Sequence, residues 1–185
     1  MRSTKQLHQT IIDQCKNNCA KAQMQLYNLY CKAMFLVAFR YVNNRFVAED
    51  VMQDAFIKAF KNINNYKNEV AFGAWLKRIV INQSIDQLKK KKLELVAINE
   101  EVITEVNVED WNIENDISVE GIVEVINSLK EKYRLVLTLY LLEGYDHSEI
   151  SKILNITENT SRTHLLRGKK ILKEALKTTK YAARY

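Results

Sequence analysis

Three carboxylates are closely spaced in the segment AEDVMQDAFIKAF, residues 48–60. Glu49, Asp50 and Asp54 fall on consecutive turns of a predicted helix, where they could hold Mg²⁺ for nucleic-acid cleavage. A two-metal nuclease needs carboxylates from several elements, and no matching motif elsewhere in the chain supplies them. We therefore predict no catalytic residue. Asp50, Gln53 and Asp54 form an acidic stripe that, considered alone, is most simply a solvated helix face.

The cysteines are a second candidate group. Cys15 and Cys19 lie one helical turn apart with His8 nearby, but a complete set of four metal ligands is not visible. The number of cysteines is odd, and Cys15, Cys19 and Cys31 lie in or near helical pattern, which favours reduced thiols in a cytosolic protein. We predict no metal site and no cofactor.

Basic and short polar side chains form two further groups, each on a predicted amphipathic helix. In residues 71–92, Trp75 and Ile79 belong to an apolar stripe, whereas Lys77, Arg78 and Asn82 face outward. Side chains of these types bind phosphates and base edges, so nucleic acid is the leading partner and a solvated basic face is the alternative. The outward face of the last predicted helix carries Asn159, Thr160, Arg162, Thr163, His164, Arg167, Lys169 and Lys170.

Helices must position all of these side chains. The chain has 185 residues, 47% of them hydrophobic, which is enough for a core in one or two domains. It has no Pro and only four Gly, so the usual turns of sandwiches and barrels are missing and the sequence predicts an all-α protein. No apolar run approaches the roughly 20 residues of a membrane span. The first residues lack the apolar stretch of a signal peptide, so we expect a cytoplasmic protein.

Charge divides the chain into two predicted domains. Helical periodicity over about 22–47, 48–62 and 71–93 predicts an N-terminal domain over residues 1–95. The following stretch lacks a sustained helical period, and residues 94–128 hold ten acidic residues and no Lys or Arg. The missing helical period and the acidic composition together predict an acidic linker over residues 96–118. A second helical domain is predicted over residues 119–185.

The second domain has the pattern of a helix-turn-helix. Asp146 and Glu149 have the spacing of a reciprocal cap, Asn155 suits the left-handed turn, and Thr157 can cap the next helix. An ordinary helical hairpin is the alternative, but it does not account for the short polar residues at the start of the second helix. The predicted inward residues of that helix are Leu165, Leu166, Ile171 and Leu172.

Taken in order, these patterns resemble the bacterial RNA polymerase sigma factors of the sigma-70 family, and most of all the extracytoplasmic-function group. The resemblance rests on AEDVMQDAFIKAFKNI, FGAWLKRIVINQSIDQLKK and YRLVLTLYLLEGYDHSEISKILNITENTSRTHLLRGKKIL, and it covers about residues 20–178. It implies two helical domains, called regions two and four, in residues 1–95 and 119–185.

The resemblance also implies three binding surfaces, with no catalytic activity and no small-molecule substrate. The acidic stripe of Asp50, Gln53 and Asp54 would bind core RNA polymerase. The helix containing Trp75 and the loop before it would bind the minus-10 promoter element as the duplex opens, through Asn64, Asn65, Tyr66, Lys77, Arg78, Asn82, Asp86 and Lys89. The helix-turn-helix would bind the minus-35 element through Asn159, Thr160, Arg162, Thr163, His164, Arg167, Lys169 and Lys170.

Aromatic residues near the minus-10 group could stack on bases exposed by melting. Tyr66, Phe72 and Trp75 are the candidates, although Trp75 shares an apolar stripe with Ile79 and is expected in the core. The lysines from Lys89 to Lys92 would bind phosphates with little sequence information.

Two residues depart from the family pattern and leave the seating of the recognition helix open. Ser161 stands where many members have a buried Val, and Lys130 follows Leu129 where a Pro is common.

The partners implied by the resemblance are core RNA polymerase, promoter DNA and an anti-sigma factor. The acidic linker would pass through polymerase channels as a mimic of a phosphate chain, or would be a simple solvated connection. The competing function is a helix-turn-helix regulator that binds duplex DNA without polymerase.

Overall fold

The computed structural model describes residues 8–94 and 118–182, and the chain divides into two compact units, Met1–Val96 and Ala97–Tyr185. Within the described ranges the structure is helical with no strand, so the predicted all-α class is confirmed. The first unit contains α1 (Gln9–Lys16), α2 (Ala20–Val42), α3 (Arg45–Lys61) and α4 (Phe72–Glu94). The second contains α5 (Val119–Ser128), α6 (Glu131–Leu137), α7 (His147–Leu154) and α8 (Glu158–Ala182).

Helices α2, α3 and α4 pack against one another around the core of the first unit. Leu26 and Tyr41 from α2, Ala55 from α3, and Leu76 and Val80 from α4 are almost completely buried. Burying a side chain of the Leu or Ile class stabilises a fold by about 1.5–3 kcal/mol, so this shared core holds the three helices in place. Ala33, an expected core residue, is exposed.

The boundary between α2 and α3 differs from the expectation that α2 would run to about residue 47. Helix α2 ends at Val42 because Asn43 adopts the left-handed conformation, with φ 50°. Asn44 then caps α3, its side-chain Oδ1 accepting a hydrogen bond of 3.1 Å from the Val47 backbone N–H. Two consecutive asparagines end one helix and start the next, while the apolar period continues across them and hides the break.

Helix α1 was not singled out by periodicity, yet it packs against α2 and against the 3₁₀ turn Ile63–Asn65. Its inward residues Ile12 and Cys15 are completely buried. The helix is only two turns long, which is too short for a pattern of apolar residues to stand out from a polar sequence.

The second unit contains the predicted helix-turn-helix, formed by α7 and α8. Asp146 and Glu149 make the reciprocal cap, with the Glu149 N–H donating to Asp146 Oδ1 at 2.8 Å. Asn155 is left-handed with φ 56°. The Thr157 hydroxyl accepts a hydrogen bond of 3.0 Å from the Thr160 backbone N–H. All three local expectations are therefore confirmed.

Helix α8 packs on α6 along one side. Gly168 makes this approach close, because a Cβ there would lie only 3.0 Å from Leu137 Cδ1. Leu165 and Leu172 are buried as expected, but Ile171 is 36% exposed, so its assignment to the inward face was wrong. The inward face passes through Gly168 and Leu172, and residue 171 lies about 60° from the first and about 100° from the second around the helix axis.

Helix α6 continues into a π-helical turn, Thr138–Leu142, before Gly144 at φ 77° ends the helical segment.

No helix among the described residues is long and apolar enough to cross a membrane. The expected acidic linker, residues 96–118, lies outside the described residues except for Ser118, whose side chain caps α5.

Candidate nucleic-acid interface

The acidic stripe lies on the outer face of α3. Asp50, Gln53 and Asp54 are all exposed, whereas Val51 and Ala55 on the opposite face are buried. The three side chains lie at i, i+3 and i+4 and therefore share one surface. The structure brings these predicted residues together, in a place that a partner protein can reach.

A groove lies between this stripe and α4. Asp54 lines the groove together with Asp86, Gln87 and Lys89. Lys58 on α3 donates a hydrogen bond of 3.1 Å from Nζ to Gln83 Oε1 on α4. The acidic surface of α3 and the polar surface of α4 are therefore neighbours on one side of the first unit.

The outward face of α4 carries most of the predicted minus-10 residues. Arg78, Asn82, Asp86 and Lys89 are exposed and recur every three or four residues, so they form one continuous strip. Lys77 is only partly buried and lies at the edge of this strip. A strip that combines cations with amide and carboxylate groups can bind a phosphate backbone and base edges together.

Asn64 and Asn65 project from the 3₁₀ turn that follows α3. Both side chains are exposed, while their neighbours Ile63 and Tyr66 are buried. The turn is thus anchored on both sides, which fixes the position of two amide side chains that can donate and accept hydrogen bonds.

The assignment of Tyr66 as a base-stacking residue was wrong, because its side chain is only 2% exposed. Its hydroxyl donates a hydrogen bond of 2.7 Å to the Val70 carbonyl. The ring lies 5.4 Å from Phe72 and 5.3 Å from Trp75 between centroids. Burial, and after it the nearby Tyr30, raise the pKa of the Tyr66 phenol, which therefore remains a neutral donor. Tyr66 supports the turn from inside.

Trp75 is partly exposed rather than fully in the core, and it forms the outer edge of this aromatic cluster. Phe72 is 1% exposed and so cannot stack on a base.

Lys16 of α1 places its Nζ 6.0 Å from the centroid of the Tyr66 ring. This contact links α1 to the loop and was invisible in the sequence, since a cation and a ring 50 residues apart have no local pattern.

The first turns of α8 present the predicted minus-35 residues to solvent. Asn159 and Arg162 are exposed, Thr160 and Thr163 are partly buried, and Lys170 is exposed further along. Arg162 Nη2 forms an ion pair of 3.1 Å with Glu158 Oε2, and the two side chains are 57% and 45% exposed. Exposed pairs of this kind contribute about 0.2–1 kcal/mol, so Arg162 can exchange Glu158 for another anion at little cost.

The remaining minus-35 residues are more enclosed. Arg167 and Lys169 are partly buried, and Lys169 Nζ lies 5.7 Å from the centroid of the Tyr140 ring. The His164 ring is partly buried and meets the Tyr133 ring edge to face at 5.7 Å. Burial first, and then Lys132 and Arg167, lower the pKa of His164, so this residue is a neutral ring rather than a fixed cation.

Ser161, one of the two departures from the family pattern, lies at the contact between α7 and α8. It is 0% exposed, and its Oγ lies 2.9 Å from Nδ1 of His147 at the start of α7. The His147 ring also stacks on Tyr140, with centroids 5.0 Å apart. The sequence does show a polar residue at an inward position of the recognition helix. It does not show the partner of that residue, because His147 lies 14 residues away.

The cysteines are free: Cys15 is buried, Cys31 is partly buried and Cys19 is exposed. In the parts of the chain that the structure describes, no three His, Cys, Asp or Glu side chains are grouped to hold a metal ion.

Comparisons with known proteins match both units of the chain to one family. Residues 26–94 match the family model for Sigma-70 region 2, and residues 120–172 match that for Sigma-70, region 4. The extracytoplasmic-function RNA polymerase sigma factor SigW of Bacillus subtilis is 30% identical over 178 residues, covering 90% of this chain and 95% of SigW. The sigma-E factor of Haemophilus influenzae is 26% identical over 182 residues, covering 91% of this chain and 94% of the relative.

Two solved structures share the fold. One is the sigma factor RpoE from Bartonella quintana in complex with the anti-sigma factor NepR, with a TM-score of 0.51 and 21% identity over 83% of this chain and 96% of RpoE. The other is CnrH in complex with the cytosolic domain of CnrY, with a TM-score of 0.50 and 19% identity over 91% of this chain and 96% of CnrH.

Proposed function

This chain belongs to the sigma-70 family of RNA polymerase sigma factors, in the extracytoplasmic-function group, and we propose that three surfaces on its two units bind core RNA polymerase and promoter DNA. The observation that carries the proposal is the order of the two matches, region 2 at residues 26–94 and region 4 at residues 120–172. We propose a region 2 domain over residues 1–95, a linker over 96–118 and a region 4 domain over 119–185.

The first proposed surface is the acidic stripe, which binds core RNA polymerase. Asp50, Gln53 and Asp54 are exposed on one face of a helix whose other face is anchored in the core. A rigid helix carrying fixed carboxylates is suited to a basic surface on a partner, because complementary charge accelerates encounter and selects the partner.

The second proposed surface binds the minus-10 element as it opens. Taking a base out of the duplex costs a few kcal/mol, which the protein must offset with contacts to the released strand. Asn64 and Asn65 can hydrogen-bond base edges from the anchored turn, and Arg78 and Lys89 can bind the backbone. Lys77, Asn82 and Asp86 complete this surface. Tyr66 is assigned a supporting role instead, because its ring is buried.

The third proposed surface is the start of α8, which binds the minus-35 element in the major groove. Arg162 and Asn159 are exposed and chemically suited to guanine and adenine edges, and Thr163 adds a hydroxyl. Arg167, Lys169 and Lys170 lie further along the helix and can reach phosphates. The edge-to-face contact of the His164 ring with Tyr133 supports a position for His164 at the edge of this proposed surface.

We further propose that the protein acts without catalysis of its own and works in the cytoplasm, where the polymerase and the chromosome are. RpoE from Bartonella quintana was solved with an anti-sigma factor, and a partner of that class is proposed for this chain as well.

Charge reversal in the acidic stripe tests the proposed function. Asp50→Lys replaces an exposed carboxylate with a cation, and we expect affinity for core polymerase to fall about tenfold or more, as is usual for a reversed charge at an interface. Asp13→Lys is the matched control, since Asp13 is also exposed and lies on α1 of the same unit. Equal binding of both variants and of the wild type would contradict the proposed polymerase surface and would favour a regulator that works without polymerase.

A further inference from the structure

Ser161 is a polar residue in the hydrophobic contact between the two helices of the helix-turn-helix. Its side chain is 0% exposed, and it lies in the first turn of α8 between Thr160 and Arg162. A hydroxyl without a partner is unfavourable at such a site, so the residue must be paired. The observed partner is His147 Nδ1, 2.9 Å from Ser161 Oγ.

His147 is itself held in place. It is the first residue of α7 and follows Asp146, the residue that caps that helix. Its ring stacks on Tyr140 with centroids 5.0 Å apart and an interplanar angle of 27°. Lys169 approaches the same Tyr140 ring, with Nζ 5.7 Å from the centroid. The hydrogen bond therefore joins α8 to a side chain whose orientation is already fixed by α7 and the π-helical turn.

The charge state of His147 suits this pairing. Burial first, then Arg162, lower the pKa of His147, with Lys169 acting in the same direction and Glu158 and Asp146 opposing them. A neutral imidazole has one donor and one acceptor nitrogen, and a hydroxyl can pair with Nδ1 in either tautomer. The contact does not place a charge beside the buried hydroxyl.

We propose that His147 and Ser161 are positioning residues that fix the rotation and depth of α8 relative to α7, and thereby set how strongly the protein discriminates between minus-35 sequences. This inference rests on the proposed minus-35 role of α8. Ser161 sits directly between two residues that face the DNA, so a rotation of the helix at this point moves Thr160 and Arg162 together. Base readout depends on bidentate geometry, which is sensitive to such a displacement.

Two substitutions of His147 separate the hydrogen bond from the ring. His147→Asn keeps a hydrogen-bonding atom near the position of Nδ1 but removes the ring. His147→Phe keeps the ring that stacks on Tyr140 but cannot bond to Ser161. Ser161→Ala removes the hydroxyl from the other side of the pair with little change in volume.

The measurement is transcription by core polymerase with each purified full-length variant. The template is a promoter selected by the wild-type protein from a randomised library, used with its minus-35 element intact and with that element substituted. The ratio of initial rates on the two templates gives the minus-35 discrimination. A template with a pre-melted minus-10 region and no minus-35 element reports on the remaining functions, and thermal unfolding reports on the fold.

We expect Ser161→Ala and His147→Phe to lower the discrimination ratio about 3- to 10-fold, the effect of one lost hydrogen bond. His147→Asn is expected to stay within about twofold of the wild type because it preserves that bond. The pre-melted template should be transcribed equally by all of them.

Unchanged discrimination in Ser161→Ala, or an equal loss in His147→Asn and His147→Phe, would overturn the positioning role. A variant that only unfolds at a lower temperature, with normal discrimination where it is folded, would overturn it too. If the wild type selected no promoter, the proposed function itself would fail, and that outcome is distinct from a wild type that discriminates no better than its variants.

Discussion

At the scale of single residues, a side chain can bind a partner only if it faces solvent and not the core. Asp50, Gln53 and Asp54 were expected outside because their neighbours Val51 and Ala55 repeat at helical spacing, and the structure places them there. Tyr66 could not be placed in this way, since it follows a short turn and no periodicity applies. Its burial depends on Phe72, Trp75 and Val70, which converge on it only in the folded unit.

Asn64 and Asn65 are predicted to act in promoter opening rather than in folding. Both amides are exposed, so replacing both with Ala removes hydrogen-bonding groups without changing the core. We expect the rate of open-complex formation to fall at least about fivefold, the effect of losing one or two net hydrogen bonds. Permanganate reactivity of unpaired thymines measures this rate.

Gln14→Ala on α1 is the control for this double variant, because Gln14 is also exposed and carries an amide. Opening at the wild-type rate by the Asn64→Ala, Asn65→Ala protein would contradict the assignment of the turn to base contact.

His164 is predicted to make the second unit less stable in mild acid. Its folded pKa lies below the unfolded value of 6.5, because burial and the neighbouring Lys132 and Arg167 disfavour the charged ring. The unfolded chain therefore binds more protons as the pH falls below about 6.5, so the stabilising contribution is complete above that value and is lost progressively below it. His147, whose pKa is also lowered, acts in the same direction.

Urea unfolding at pH 7.5 and pH 5.5 measures this effect. Both pH values lie above the pKa values of ordinary carboxylates, so those groups stay charged. The wild type should lose more free energy of unfolding between these two values than His164→Gln does. Equal losses in both proteins would show that His164 is not the group responsible.

At the scale of elements, the helix caps of the second unit could be predicted from the sequence, whereas the end of α2 could not. The capping residues Asp146 and Thr157 and the left-handed Asn155 were identifiable because each role depends on a residue type and a local spacing. The end of α2 was misplaced by about five residues because the apolar period continues past Asn43 and Asn44, although both are strong boundary residues.

Helix α1 is predicted to contribute to the stability of the region 2 unit although it precedes the matched residues 26–94. Ile12 is completely buried between α1 and its neighbours. Ile12→Ala should therefore lower the free energy of unfolding by about 2–5 kcal/mol, as is usual for such a truncation in a core.

Thr10→Ala is the control for Ile12→Ala, since Thr10 lies on the same helix and is exposed. Chemical denaturation of the full chain measures both variants. A loss below about 0.5 kcal/mol for Ile12→Ala, the level of an ordinary surface substitution, would mean that α1 is not part of the cooperative unit.

At the scale of the whole molecule, the sign of the charge changes along the chain in an order that matches the proposed division of labour. The acidic stripe and the strip of Arg78, Asn82, Asp86 and Lys89 on α4 lie on one unit. The polar start of α8 and the basic residues that follow it lie on the other, and the acid-rich segment 94–128 separates the two in sequence. This division of labour is a prediction from the order of the residues in the sequence. The pairing of His147 with Ser161 was not predictable in this way, because it depends on how two helices meet in space.

Transcription in vitro on a library of genomic fragments tests whether this protein directs RNA polymerase to promoters. The purified chain is added to bacterial core RNA polymerase whose competence has been shown with another sigma factor, and the transcript start sites are read by sequencing. We expect start sites that are absent with core alone and that share two upstream elements at a fixed spacing. Competent core that gains no start sites from this protein would contradict this expectation.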